Sequence, residues 1–422
     1  MNAAPVSRRN FLGTSLLFVA GTAVACSSGG GSGNSSAKIT LNQWYHAYGE
    51  QGTQQAVKRY AAAYTKANPD VAIKISWIAG DYETRLNSAL LTTGAPDVFE
   101  IGDFRAQNVK NGLLAPLDDI IAPVKADYSK PALDTATVDG KVYGVKMMDD
   151  VMMLYYRKSL LSAAGVTPPQ TFDELVQAAA KLTTGGRKGL FIGSDGVGDI
   201  GYLLLWSNGA DLVDPAGRTA TFASPQGAAA VAGLKRLRDS KALLEGFTTD
   251  WADPSAFNQN AVAMQWCGLW AMPDIKKRHG DDFGVIPWPR YTPTGTPAVR
   301  VGGWYELVNA KGKKVEAAKK YVQWLWTQQG ELQKDWCVRY GFHVPARKSI
   351  AAQTSELTAG PAKDAVGLSQ QYGHSFPATW NKATTTIFTQ SLVKIANGKA
   401  EAAAELAAAQ TKCQAELDKQ TR

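Results

Sequence analysis

Between Asp139 and Leu161 the chain reads DGKVYGVKMMDDVMMLYYRKSLL, and this run restricts the fold more than any other. Asp139-Gly140 is the kind of dipeptide that supplies positive φ to a tight hairpin. Val142 and Val145 flank Gly144 in a short extended segment. Asp149 and Asp150 then stand between Met147-Met148 and Val151-Met152-Met153-Leu154. A strand with that much apolar weight on both sides is buried on both faces. Ionised groups at such a place need a partner or a function. Two readings follow. Either the carboxylates reach solvent at a strand end or cap the next helix, or the chain crosses here between two lobes and leaves a carboxylate facing the gap.

At 422 residues the chain is too long for one compact core and fits two domains. Its formal charge of +8 is spread along the sequence. No Lys/Arg block alternates with aromatics as a nucleic-acid groove would require, so the charge serves solubility and weak surface attraction, and no nucleic-acid partner is expected. Cys26, Cys267, Cys337 and Cys413 are too far apart for CxxC redox or zinc motifs. The three after Cys26 leave two arrangements open: a Cys267–Cys337 disulfide beside one buried thiol, or no disulfide. The four histidines are isolated in sequence, and no metal site or cofactor is expected.

Residues 1–25 read as an export signal. Ser7-Arg8-Arg9-Asn10-Phe11-Leu12 matches the twin-arginine pattern, and an apolar run too short to span a bilayer follows. It ends at Ala23-Val24-Ala25-Cys26, which resembles a bacterial lipobox, with Ala23 where Leu or Val is usual. Residues 27–36 are only Ser, Gly and Asn, a tether (26–37 with its flanks) of roughly 15–20 Å reach. The expectation is an exported protein held by lipidated Cys26 on the outer face of the cytoplasmic membrane. A plain cleaved signal is the alternative.

After the tether, strands and helices alternate. A strand from residue 39 runs into Trp44, Tyr45 and His46, where α/β folds place ligand loops; Trp44 could equally be core. Val57, Tyr60, Ala61 and Tyr64 share one face of a helix over 53–66, which Asn68-Pro69 stops. Residues 71–77 alternate as a half-exposed strand. A second helix spans 81–91, and a strand near Val98 exits at Asp103. This βαβαβ order implies a doubly wound parallel sheet. Asp103 then lies at the crevice edge, with a helix N-cap as its competing role. Thr171 and Glu174 form a capping box. The glycine-rich loop over 193–198 is not GxGxxG and gives no nucleotide signal.

Several of these segments together resemble one family. Gly140-Lys-Val-Tyr-Gly-Val, Tyr155-Tyr-Arg-Lys-Ser-Leu-Leu and Ala164-Gly-Val-Thr-Pro-Pro-Gln-Thr-Phe-Asp-Glu-Leu are similar to the signature of the extracellular sugar-binding proteins of ABC importers, the maltose-binding-protein-like family 1 solute-binding proteins. Ala95-Pro-Asp-Val, Asn111-Gly-Leu-Leu-Ala-Pro-Leu-Asp-Asp, the Trp270 element, Gly302-Gly303-Trp304 and Gly341-Phe-His-Val-Pro-Ala-Arg-Lys-Ser follow in the same order. Lys146 departs from a usual Pro, and Arg157 from a usual Asn. The resemblance implies an α/β, two-lobed periplasmic-binding-protein-like fold, each lobe a mostly parallel sheet flanked by helices. Lobe one would hold 38–148 plus 303–350, and lobe two 149–302 plus 351–422, with a ligand cleft between them. It also implies a monomer that closes by hinge motion and delivers its ligand to a membrane permease, without catalysis. For the site it implies Asp103, Asp199, Trp206, Trp270, Gly302, Gly303 and Trp304.

The residues themselves favour the same ligand class. Sugars present hydroxyl arrays and apolar C–H faces, so their sites combine carboxylates with rings. Asp81, Asp103, Asp149, Asp150 and Asp199 are cleft candidates, with Trp44, His46, Trp206, Trp270, Trp304 and Trp380. No cationic cluster suited to a phosphate sits among them. The rival readings are a polyamine, glycerophosphodiester or ferric-ion binder of the same fold, and a surface glycosidase. Adjacent strand residues such as Asp149 and Asp150 face opposite ways, which argues against a glycosidase pair.

Overall fold

The computed structural model describes residues 39–48, 52–102 and 104–421. The signal, the tether, Cys26 and Asp103 lie outside the described residues. In chain order the first strands are β1 (Ile39–His46), β2 (Val71–Ile78), β3 (Val98–Ile101), β4 (Thr137–Val138), β5 (Lys141–Val142), β6 (Val145–Lys146) and β7 (Met148–Tyr156). They continue with β8 (Lys188–Phe191), β9 (Val262–Gly268), β10 (Gly284–Ile286), β11 (Val299–Gly302), β12 (Tyr305–Val308), β13 (Val344–Pro345) and β14 (Gly373–His374).

The first sheet has the order β2-β1-β3-β12-β6. Its β1, β2 and β3 are parallel, as the βαβαβ reading requires, and the intervening helix Thr53–Ala67 buries Ala56, Val57, Tyr60, Ala61 and Tyr64. β12 returns from the other sheet and so runs antiparallel to β3, setting Glu306 beside Glu100 in register. Both carboxylates are fully buried and each collects donors. Glu306 accepts from Gln43 Nε2 at 3.0 Å and Trp326 Nε1 at 2.8 Å, while Glu100 accepts from the His46 amide at 2.7 Å and the Tyr48 hydroxyl at 2.6 Å. Burial, reinforced by the neighbouring Glu100 charge, raises the Glu306 carboxyl to about 8.

The second sheet has β7 at its centre. The path is β14-β11-β7-β9-β8, and β10 and β13 also pair with β7. β7 meets β9, β10, β11 and β13 antiparallel, so this sheet is mixed rather than mostly parallel. The reason is that β7 and β11 are crossing strands whose directions are fixed by the other sheet. β8–β9 and β11–β14 supply the parallel pairs.

Two crossings run side by side. β6 continues into β7, and β11 into β12, with Gly302 opposite Asp150 and the Met147 amide donating to the Trp304 carbonyl at 2.8 Å. Gly303 has φ +124°, and a Cβ there would lie 2.0 Å from the Met148 carbonyl oxygen, so only glycine allows the two crossings to touch. β13 lies against the same segment, Val344 opposite Asp149. Each sheet carries its own apolar core, one around Leu41, Tyr321 and Trp326, the other around Leu154, Phe172 and Leu204.

Local features follow sequence closely. Asp139 (φ 48°) and Gly140 (φ 78°) turn the β4–β5 hairpin. Thr171 Oγ accepts from the Glu174 amide at 3.2 Å, and Glu174 reaches back to the Gln170 amide at 2.7 Å. The helix Val315–Gln323 is continued by a π-helical turn, Trp324–Gln328, that carries Trp326 to Glu306. Of the two cysteine arrangements the sequence leaves open, the one without a disulfide is observed: Cys267 and Cys337 are free, buried in different cores, and Cys413 is free as well.

The Glu306 environment sets a pH dependence. Between its ordinary value of 4.5 and about 8, the folded chain holds a proton that the unfolded chain has released. Stability therefore falls with rising pH across that window, by roughly 1.4 kcal/mol per pH unit from this group. Glu306→Gln is expected to flatten the decline, as read by urea unfolding from pH 5 to 8.5; an unchanged slope would refute the assignment.

Candidate functional site

The two crossings form the back of a cavity of about 260 Å³ between the two sheets. The first sheet contributes Gly102 at the end of β3, Lys146 and Trp304; the second contributes Asp150 and Met152 of β7 and Arg300 of β11. A strap, Ser375 to Pro377, and the buried Trp380 close the far side. The strap is fixed by the pairing of β14 with β11 and by the Ser375 hydroxyl donating to the Val301 carbonyl at 2.8 Å.

Trp304 is half-buried and held from behind. The His46 ring stacks on it at 4.1 Å and 17°, and the His46 Nδ1 lies 2.6 Å from Glu100 Oε1. The indole edge reaches the bare Cα of Gly102, where a Cβ would sit 3.5 Å from the ring. Glu83, also on the wall, accepts from the Gly102 amide at 3.1 Å. Thus His46, Glu100 and Glu83 orient an indole and strand end that face the cavity.

Every cation on this wall, among the described residues, already holds an acid. Lys146 Nζ lies 2.5 Å from Asp149 and 5.4 Å from the centroid of the Tyr305 ring. Burial opposes both charges. It raises the Asp149 carboxyl, whereas for Lys146 it is outweighed by Asp149, Tyr305 and Asp150, which keep the ammonium charged. Arg300 pairs with Asp199 and lies over the Phe376 ring, 4.7 Å from its centroid. Asp150 Oδ1 lies 2.5 Å from His343 Nδ1. Asp149 and Asp150 thus face different partners, as alternation along β7 demands.

The sequence profile of bacterial extracellular solute-binding proteins matches residues 59–365. The chain belongs to this family. A probable amino-acid ABC transporter periplasmic-binding protein of Sinorhizobium fredii is 30% identical over 47% of this chain and 47% of its own length. The diacetylchitobiose-binding protein DasA of Streptomyces coelicolor is 28% identical over 57% of this chain and 59% of its own. The chain spans about half the length of the first curated relatives it matches. Among solved structures, the GacH receptor of Streptomyces glaucescens, studied unliganded and with acarbose, is 26% identical with a TM-score of 0.74, covering 91% of this chain and 99% of GacH. The solute-binding family and its two-lobed neighbours are binding proteins rather than enzymes.

In this solute-binding protein the structure brings together Asp150, Gly302, Gly303, Trp304 and Trp380. The other sequence candidates stand elsewhere. Asp81 caps the helix Tyr82–Ala89, accepting from the Thr84 amide at 3.2 Å, on an outer recess that meets the cavity at Glu83. Trp44 packs against a further apolar cluster around Leu86, Phe99 and Leu307. His46, Asp149 and Asp199 act behind the wall through Trp304, Lys146 and Arg300. Trp206 is buried, its Nε1 donating to Asp211 at 3.1 Å. Trp270 donates to the Ala252 carbonyl at 3.0 Å and packs on Trp251, which turns it from the cavity. Sequence reasoning missed Glu83, Lys146, Met152, Arg300 and the strap. Lys146 did leave a signal, as a family Pro replaced by a cation three residues before an Asp.

Lys146→Met would leave Asp149 without its partner. A loss of about 3–5 kcal/mol is expected in urea unfolding, largely recovered in Lys146→Met/Asp149→Leu. Equal loss in single and double variants would rule out a paired role.

Proposed function

We propose that this protein is the carbohydrate-capturing component of an ABC importer. The observation that carries this reading is the half-exposed Trp304 indole set opposite Asp150 in a cleft whose cations are already paired. An indole suits the C–H face of a sugar ring, and carboxylates accept from its hydroxyls. A phosphate or free carboxylate would need a cation that Lys146 and Arg300 do not have to spare. The diacetylchitobiose of DasA and the acarbose of GacH support the sugar class by similarity. The divergence of Asp149 and Asp150 supports binding without hydrolysis.

The mechanism in this reading is hinge closure at the paired crossings, a motion the handling of ligands by periplasmic binding proteins typifies. Residues 38–148 with 303–350 would move against 149–302 with 351–422, closing on the ligand as a monomer and presenting a shape to permease subunits. Export by the twin-arginine signal and anchoring through Cys26 complete the proposal. A second reading, a polyamine, draws on the same Asp150 and Trp304 through charge and cation–π contact.

A thermal-shift screen of the full chain against mono- and oligosaccharides, spermidine and glycerophosphodiesters tests the ligand class. A sugar at 100 times its dissociation constant is expected to add about 2.7 kcal/mol, and Trp304→Ala or Asp150→Ala to remove most of the shift. A shift with spermidine alone would replace the sugar reading. For the anchor, the wild-type chain is expected in the membrane fraction and Cys26→Ala in the soluble exported fraction; membrane retention of the variant would contradict lipidation.

A further inference from the structure

The side chain that meets Asp150 comes from a third segment beside the two crossings, and the backbone there is irregular in a way that delivers it. Residues Asp335–Gly341 form a π-helical stretch, which the His343 amide closes by donating to the Cys337 carbonyl at 2.7 Å. Such stretches are rare and gather at functional sites. Phe342 follows at φ 50°, a left-handed conformation that is strained for a bulky side chain. Gly341 leaves room for the ring, since a Cβ there would lie 2.0 Å from His343 Nε2. Three irregularities in a row thus serve one buried imidazole, whose Nδ1 lies 2.5 Å from Asp150 Oδ1.

Asp150 is shared between this pair and the cavity. Its Oδ1 is buried in the contact, yet the residue lines the cavity and its side chain keeps 11% of its surface exposed. Oδ2 is therefore the oxygen left to accept from a bound hydroxyl. The charged groups nearby are engaged with one another: Lys146 holds Asp149, Asp335 holds Arg339, and Asp127 holds Arg347, while Lys348 is exposed. Burial, then the Asp150 charge, keeps the Cys337 thiol well above its usual range, and burial with Glu100 does the same for the Tyr48 hydroxyl, so both stay protonated. The imidazole is the group of this cluster suited to titrate near neutral pH.

A sugar that fills the cavity shuts water away from Asp150, and a carboxylate that loses water needs a compensating charge. A protonated imidazole supplies it; a neutral one keeps the hydrogen bond without the charge. We propose that His343 is a positioning residue for sugar capture: it holds Asp150 with Oδ2 toward the cavity, and binding draws a proton from solvent onto its Nε2. This rests on the carbohydrate reading above and adds a pH dependence to it. Affinity falls as pH rises through the imidazole range, because the compensating charge is lost.

Titration calorimetry of the full chain with gluco-, manno- and N-acetylglucosamine oligosaccharides, in buffers of different ionisation heat, tests it. For the sugar that binds, proton uptake is expected near pH 7.5, with affinity weakening about tenfold between pH 6 and 8.5. His343→Gln keeps a neutral donor and is expected to bind with a flat pH profile and no uptake. His343→Leu, which leaves Oδ1 without a donor, is expected to bind about tenfold more weakly than His343→Gln. The wild-type measurement needs no variant, so absent uptake overturns the proposal even where a substitution fails to fold. A pH profile that persists in His343→Gln also overturns it, and in both cases the sugar reading stands. Binding of no sugar at any pH overturns both.

Discussion

Everything at the site depends on two chain crossings lying against each other. Gly302 opposite Asp150, and Met147 hydrogen-bonded to Trp304, lock the segments that join the sheets. Gly303 permits this because a side chain there would collide with the Met148 carbonyl. The pairing sets the direction of β7 and β11, and hence the antiparallel character of the second sheet. It also brings Lys146 and Asp150, close together in sequence, to the same cavity as Trp304, which is far from both in sequence.

Charge is then managed by local pairing. Lys146 with Asp149, Arg300 with Asp199, and Asp150 with His343 place three close contacts around one small cavity. Close side-chain pairs of this kind fix geometry more than they add stability. The consequence is a wall with polar edges and little net pull on an anion. Behind it, Glu100 and His46 hold the indole that supplies the flat surface.

Much of the fold was legible. Periodicity and turn residues placed the βαβαβ start, the Asp139-Gly140 hairpin and the Thr171 cap, because those structures are stabilised by neighbours in sequence. Asp150 and Gly302-Gly303-Trp304, which line the cavity, stood out in the sequence because each breaks a local rule: a carboxylate in an apolar strand, and glycines where a strand should have side chains. Trp270 and Trp206 broke no such rule. Their indole nitrogens find Ala252 and Asp211, partners that sequence does not reveal.

The sequence by itself determined the elements, the family and the position of the chain crossing, since these rest on short-range patterning and motif order. Only the tertiary structure decided which side chains meet. It paired Arg300 with Asp199, brought the strap 375–377 against β11, and kept Cys267 and Cys337 in separate cores. The physical reason is that a strand or helix pattern fixes the face a residue occupies, while the partner on that face is chosen by packing of segments up to hundreds of residues away.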